Sequence, residues 1–82
     1  INIVELIEQT LFLVYAKAEK LGVKIEKEYP DKNIILKADP ELLKTCFFNI
    51  FQNAFQAMPN GGTLKIKIVK ENHNIKISIS DT

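Results

Sequence analysis

The fold is decided by the stretch Ala38–Ile68, ADPELLKTCFFNIFQNAFQAMPNGGTLKIKI. Asp39-Pro40 is a helix start: a side-chain acceptor at the N-cap, then a ring whose φ is already set for the first helical position. The helix should run to about Met58, where Pro59-Asn60-Gly61-Gly62 stops it and turns the chain. Beyond the turn, Leu64, Ile66 and Ile68 alternate with Lys65 and Lys67, the period of a strand with one apolar and one solvated face.

Upstream, Asn2 and Glu5 have the spacing of a capping box, and Ile3, Ile7, Leu11, Val14, Ala18 and Leu21 recur at helical spacing. Gly22 stands where a helix C-terminal glycine belongs, so a first helix is read over residues 3–21. In VKIEKEYP, Val23 and Ile25 alternate with Lys24 and Glu26, a strand ending near Pro30. Asp31-Lys32-Asn33 is a turn, and Ile34–Ala38 reads as a second short strand. Downstream, Ile75, Ile77 and Ile79 alternate with Lys76, Ser78 and Ser80, and the link Lys70–Asn74 makes a hairpin of the last two strands. The order α-β-β-α-β-β predicts an α+β two-layer sandwich, with both helices on one face of an antiparallel or mixed sheet.

Eighty-two residues make one domain or part of one, with a marginal core. A hydrophobic fraction of 46% and a charged fraction of 26% are those of a folded globular chain rather than a disordered one. With 11 basic and 10 acidic residues the net charge is +1, so no strongly basic face is expected and nucleic acid is not favoured as a partner. Cys46 is the single cysteine and His73 the single histidine, which excludes an internal disulfide and a Cys/His zinc site. A lone cysteine fits a reducing compartment. No apolar run approaches the length of a membrane span, and no signal peptide is visible. The chain opens on Ile1 rather than Met and so reads as excised from something longer.

At about 100° per residue, the second helix carries a broad apolar arc of Leu43, Cys46, Phe47, Ile50, Phe51, Ala54, Ala57 and Met58, with Phe48 and Phe55 on another side. Cys46, on that arc, reads as a small buried hydrophobe. Between the two lies a polar strip of Thr45, Asn49, Gln52, Asn53 and Gln56. Asn and Gln are weaker choices than Glu or Lys for mere solvation of a helix. They suit a site that faces anions, because a side-chain carbonyl can ligate Mg²⁺ without adding a repelling carboxylate, and the NH₂ can donate to phosphate oxygens. Asn49 and Asn53 are one turn apart and share a face. A solvated seam accounts for the same strip, and pattern alone leaves both readings open.

The last strand raises a second question. Asp81 has the parity of Ile75, Ile77 and Ile79, so a strand that continues straight aims a carboxylate toward the apolar side. There it needs donors, and the exocyclic amine of a bound base is one that would serve. The other reading ends the strand at Ser80 and makes Asp81 a turn residue or a cap.

Taken together, ADPELLKTCFFNIFQNAFQAMPNGGTLKIKI and IKISISDT resemble the catalytic ATP-binding domain of sensor histidine kinases, within the gyrase/Hsp90/histidine kinase/MutL ATPase superfamily. The shared pattern is Asp-Pro, a helix with Asn-x-x-x-Asn-Ala-x-x-Ala, a Pro-x-Gly-Gly turn, and a strand pair ending in Asp-Thr. It covers essentially all 82 residues and is specific in this order, whereas Asn-x-x-x-Asn alone is weak. The resemblance implies a partial Bergerat-type ATP-binding fold with ATP and Mg²⁺ as cofactors. By position, Asn53 matches the family's Mg²⁺-ligating asparagine and Asn49 the asparagine before it that lines the phosphate and metal region. Gln56 stands where many members carry a Lys or another polar residue near the phosphates. Asp81 matches the aspartate that accepts from the adenine amine, and Thr82 begins the segment that leads into the first glycine-rich box.

The resemblance also implies partners. The phosphoacceptor histidine would lie in a separate dimerisation domain of a homodimeric kinase, with a response regulator as the next acceptor. The domain would be cytoplasmic, any membrane anchor lying outside this chain. His73, in the hairpin link, is read as a surface loop residue and no phosphoacceptor. The helix lacks the acidic residue that serves some superfamily branches as a base toward water, which favours phosphoryl transfer over ATP hydrolysis. The glycines after Asp-Thr, the ATP lid and the second glycine box are absent from these 82 residues, so the chain by itself is expected to bind ATP weakly or not at all and to have no kinase activity. The alternative from another class is a non-catalytic scaffold that uses the same sandwich to bind a partner.

Overall fold

A computed structural model describes all 82 residues, Ile1–Thr82. In chain order the elements are α1 (Ile3–Leu21), β1 (Val23–Glu28), α2 (Pro40–Gln56), β2 (Gly62–Glu71) and β3 (Asn74–Asp81). The Asn2 side chain accepts from the Val4 and Glu5 N–H groups at 3.2 and 3.4 Å and starts α1; the reciprocal Glu5 contact of a capping box is not made. Gly22 closes α1 in the left-handed conformation, φ 76°, with its N–H on the Ala18 and Glu19 carbonyls. Asp39 caps α2 by accepting from Glu41 N–H at 3.0 Å and Leu42 N–H at 3.3 Å, with Pro40 at the first helical position.

The strands lie in the order β1-β2-β3, β1 parallel to β2 and β2 antiparallel to β3, so the sheet is mixed. The connection between the parallel pair is α2. Asn72, φ 55°, takes the hairpin turn between β2 and β3, a conformation Asn tolerates better than most residues. His73 is exposed beside it.

One hydrophobic core joins the two layers. From α1 it takes Ile3, Leu6, Ile7, Leu11, Val14 and Ala18; from β2 it takes Leu64, Ile66 and Ile68; from α2 it takes Phe47, Phe51 and Phe55. Lys65 and Lys67 are exposed on the other sheet face, where Lys67 pairs with Glu28 across the parallel ladder at 3.5 Å. The architecture is therefore the two-layer α+β sandwich with its helices on one face. Lys27, on the helix side of β1, reaches Glu8 of α1 with Nζ at 2.9 and 3.0 Å from the two carboxylate oxygens.

Two expectations need correction. Ile34–Ala38 is not a strand: it forms one isolated antiparallel bridge, Asn2 with Ile35. Its backbone is satisfied by the chain start, Ile3 N–H donating to the Ile34 carbonyl at 2.8 Å and Leu36 N–H to the Ile1 carbonyl at 2.7 Å. That ladder cannot lengthen, because α1 begins at Ile3 and removes the partner. Cys46 is exposed rather than buried. The core-facing stripe of α2 is the row Phe47, Phe51, Phe55 at four-residue spacing, and the flank carrying Cys46, Ile50 and Ala57 lies outside it.

Tyr29 is the one polar mismatch. Its hydroxyl is buried and has no hydrogen-bond partner, and burial, with the Glu8 carboxylate second, pushes the phenol well above its ordinary value. An acid whose folded pKa is raised contributes stability that is complete below the unfolded pKa and lost as the pH climbs past it. Stability should therefore decline above about pH 10. Tyr29→Phe should remove that decline and, by deleting an orphaned hydroxyl, raise the unfolding free energy at neutral pH by up to about 1 kcal/mol. Urea unfolding at neutral and alkaline pH measures both.

Candidate functional site

α2 carries the polar strip and β3 carries Asp81, and the two elements enclose a hollow of about 220 Å³. Its lining is Ile50, Asn53 and Ala54 from α2 with Ile79, Ser80 and Asp81 from β3. Asp81 is in the strand rather than in a turn after it: β3 extends through Asp81, which pairs with Leu64 two residues after the pair Ile79–Ile66. It therefore keeps the helix-side parity of Ile79 and lies opposite the buried Leu64, yet is itself exposed at the end of the strand. Its carboxylate forms no ion pair, and the Asn53 side chain makes no hydrogen bond within the chain. An unengaged carboxylate and an unengaged amide thus face a shared space floored by Ile50, Ala54 and Ile79.

The polar strip is not a single surface. Gln52 turns to α1, where its Oε1 accepts from Lys17 Nζ at 2.8 Å and ties the two helices. The Thr45 hydroxyl is spent on the Glu41 carbonyl at 3.0 Å, one turn back along α2. Asn49 and Gln56 are exposed and lie outside the lining of the hollow, Asn49 one turn before Asn53 and Gln56 at the last position of α2. Thr82 lies outside the lining too. Its hydroxyl accepts from Thr63 N–H at 3.0 Å and its own N–H donates to the Thr63 carbonyl at 3.2 Å. The structure so brings Asn53 and Asp81 together and leaves Asn49, Gln56 and Thr82 around them.

Sequence reasoning missed the apolar floor. The apolar arc read for α2 includes both Ile50 and Ala54; Ala54 does pack against the core, whereas Ile50 is 42% exposed. Their spacing from Asn53, three residues before and one after, was the available signal, since both flank the asparagine on the same side of the helix. Pockets that enclose a whole small-molecule ligand run to roughly 300–1,000 Å³, so this hollow accommodates a ring of base size but not a complete nucleotide. A purine amine is a donor for which Asp81 is a free acceptor, and a divalent cation is a partner for the free Asn53 carbonyl. No group of three or more His, Cys, Asp or Glu residues suited to a metal is present, so a cation here would rest on amide, water and substrate oxygens. A larger hollow of about 450 Å³ beside Phe12 and Leu13 of α1 shares no residue with this one.

Comparison with known proteins fits this geometry. Sporulation kinase A of Bacillus subtilis is 31% identical over 81 residues, 99% of this chain and 13% of the kinase. Sporulation kinase C of the same organism is 31% identical over 78 residues, 94% of this chain and 18% of the kinase. The nucleotide-free catalytic domain of histidine kinase ThkA superposes with a TM-score of 0.95 at 24% identity, over 100% of this chain and 56% of that one. Over nearly its whole length the chain is similar to histidine kinases, and its fold is that of a histidine kinase catalytic domain. A second crystal form of ThkA agrees, with a TM-score of 0.93 at 25% identity. No family model matches the chain. The chain spans about an eighth of sporulation kinase A and just over half of the ThkA catalytic domain. No helix in it is long and apolar enough to cross a membrane.

Because neither Asn53 nor Asp81 is engaged by the fold, Asn53→Ala and Asp81→Asn should each leave the unfolding free energy within about 0.5 kcal/mol of wild type. Denaturant titration followed by circular dichroism checks this.

Proposed function

We propose that the intact protein is a histidine kinase whose Mg-ATP site is the hollow between α2 and β3. The observation that carries this reading is the convergence of the unengaged Asn53 amide and Asp81 carboxylate on one apolar-floored space. In this reading Asp81 accepts a hydrogen bond from the adenine amine, and Ile50, Ala54 and Ile79 receive the ring. The Asn53 carbonyl ligates Mg²⁺. Asn49 and Gln56 serve the phosphates as neutral donors, which avoids setting a carboxylate against a triphosphate. Thr82 borders the base subsite. Bound Mg-ATP supplies the γ-phosphoryl group, which would pass to a histidine in a separate dimerisation domain of the homodimer and then to a response regulator. The chain's own contribution is orientation and charge placement, as expected for phosphoryl transfer. None of its residues is assigned as a catalytic acid or base.

Two outcomes follow. Asn53→Ala in the intact protein should abolish Mg²⁺-dependent autophosphorylation while the melting temperature holds, and undiminished activity in that variant contradicts the assignment. The 82 residues alone should bind Mg-ATP weakly or not at all, because the hollow is too small to enclose the nucleotide. Titration of the isolated chain with a fluorescent nucleotide measures this, and tight binding would contradict the reading. An intact protein that binds no nucleotide at all would favour the partner-binding scaffold instead.

A further inference from the structure

β1 is an edge strand: it pairs with β2 on one side, and nothing else in the chain pairs with the other. In a parallel ladder, alternate residues turn both backbone groups toward the neighbouring strand, and the residues between turn both away. The Gly62 N–H donates to the Gly22 carbonyl at 3.5 Å, which sets the phase. Lys24, Glu26 and Glu28 therefore face β2, while Val23, Ile25 and Lys27 each present an N–H and a carbonyl to the open edge. Such an edge is a template for a further strand. The flank of α1 beside it is uncovered too, with Phe12 81% and Tyr15 60% exposed. Two hollows lie between α1 and β1, both lined by Tyr15 and Ile25. One, of about 250 Å³, reaches Phe12 and Lys27, and the other, of about 280 Å³, reaches Ala18 and Val23. Lys27 is already neutralised by Glu8, so no unpaired charge stands on the helix side of the edge.

The side chains of this edge select its partner. Lys24-Ile25-Glu26, laid antiparallel on itself with Ile25 on the twofold axis, puts each Lys24 opposite the Glu26 of the other copy. Ile25 then faces Ile25, and because both turn their backbone groups outward, they exchange two hydrogen bonds. An axis at Lys24 or at Glu26 would instead set like charges opposite each other. The Ile25 register also keeps both α1 helices on the same side of the joined sheet and brings their Phe12–Tyr15 flanks together. We propose that the open edge of β1 docks the β1 edge of a second copy of this chain, paired antiparallel about Ile25, with Lys24 and Glu26 in reciprocal ion pairs. Two three-stranded sheets become one continuous sheet. Main-chain hydrogen bonds and the covering of Phe12 and Tyr15 supply the attraction, and the exposed ion pairs choose the register. The hollow beside β3 lies at the opposite edge of each sheet and stays open, so the contact needs no nucleotide.

Disulfide trapping in the intact protein tests the register. Lys24 and the Glu26 of the second copy would form a non-hydrogen-bonded pair with Cα atoms about 4.5 Å apart, within disulfide reach. The double variant Lys24→Cys/Glu26→Cys should therefore cross-link two copies under mild oxidation. Lys24→Cys or Glu26→Cys alone leaves the two thiols on a diagonal, with Cα atoms about 8 Å apart, and should cross-link on the order of tenfold less. Equal cross-linking in all three variants, or none in a folded double variant, overturns the proposal. Amide hydrogen exchange gives a second measurement that needs no cysteine. The Val23, Ile25 and Lys27 amides should be protected in wild type. Lys24→Glu, which sets like charges opposite each other, should speed exchange at Ile25 by on the order of tenfold, and adding Glu26→Lys should restore the protection. Fast exchange at Ile25 in wild type overturns the proposal. Protection that Lys24→Glu leaves unchanged also overturns it, and assigns the edge to a different segment or chain.

Discussion

At Gly61 and Gly62 four elements meet with no room for a side chain. A Cβ on Gly61 would lie 2.8 Å from the Gly22 carbonyl oxygen and 3.2 Å from that of Leu21, so β2 begins in backbone contact with the C-terminal cap of α1. Gly61 also has φ 93°, where an L side chain is strained in any surroundings. On its other side the double glycine meets Met58 at the end of α2 and the Thr82 carbonyl at the end of β3. This close approach sets where α2 stops, where β2 starts, and how the end of β3 lies against both. The distance between Asn53 on α2 and Asp81 on β3 depends on it, and so does the hollow they share.

The core and the site divide α2 between them. Phe47, Phe51 and Phe55 bind the helix to the core, with the first two rings stacked at 6.2 Å between centroids. Gln52 fastens it to Lys17 of α1. With the helix held on those two sides, the remaining flank faces the end of β3, Ile50 and Asn53 exposed and Ala54 partly covered by the core. That is the condition a binding surface requires: side chains positioned by neighbours, yet with their polar atoms free. Asp81 meets the same condition, since the ladder to Leu64 fixes its backbone while its carboxylate stays unengaged.

Most of this was legible in the sequence because each element carries its own period and its own stop. The caps at Asn2, Gly22 and Asp39-Pro40, the double-glycine turn, and the alternation of Ile with Lys or Ser in β2 and β3 led to elements the structure contains. Ile34–Ala38 misled because its apolar content resembles a strand, while its actual partners are residues at the start of the chain that enter a helix at once. Cys46 and Ile50 misled because a helical wheel measures apolar breadth and not the width of the surface that covers it. For the site, the parity of Asp81 and the polar strip that contains Asn53 singled out two residues that the structure sets around one hollow. Sequence could not show that Gln52 belongs to the helix–helix contact, that Ile50 and Ala54 form a floor, or that the Thr82 hydroxyl is occupied by the main chain. Each of these depends on a neighbour brought in from elsewhere in the chain.

The central claim is that Asn53 and Asp81 act on one bound nucleotide. Calorimetric titration of the intact protein with Mg-ATP tests it most directly, comparing wild type, each single variant Asn53→Ala and Asp81→Asn, and the double variant. The account predicts that each single change weakens binding by at least about tenfold with the fold unchanged, and that the double variant shows no measurable binding. Wild-type affinity in both single variants would place the nucleotide elsewhere and reduce the hollow to a solvated groove.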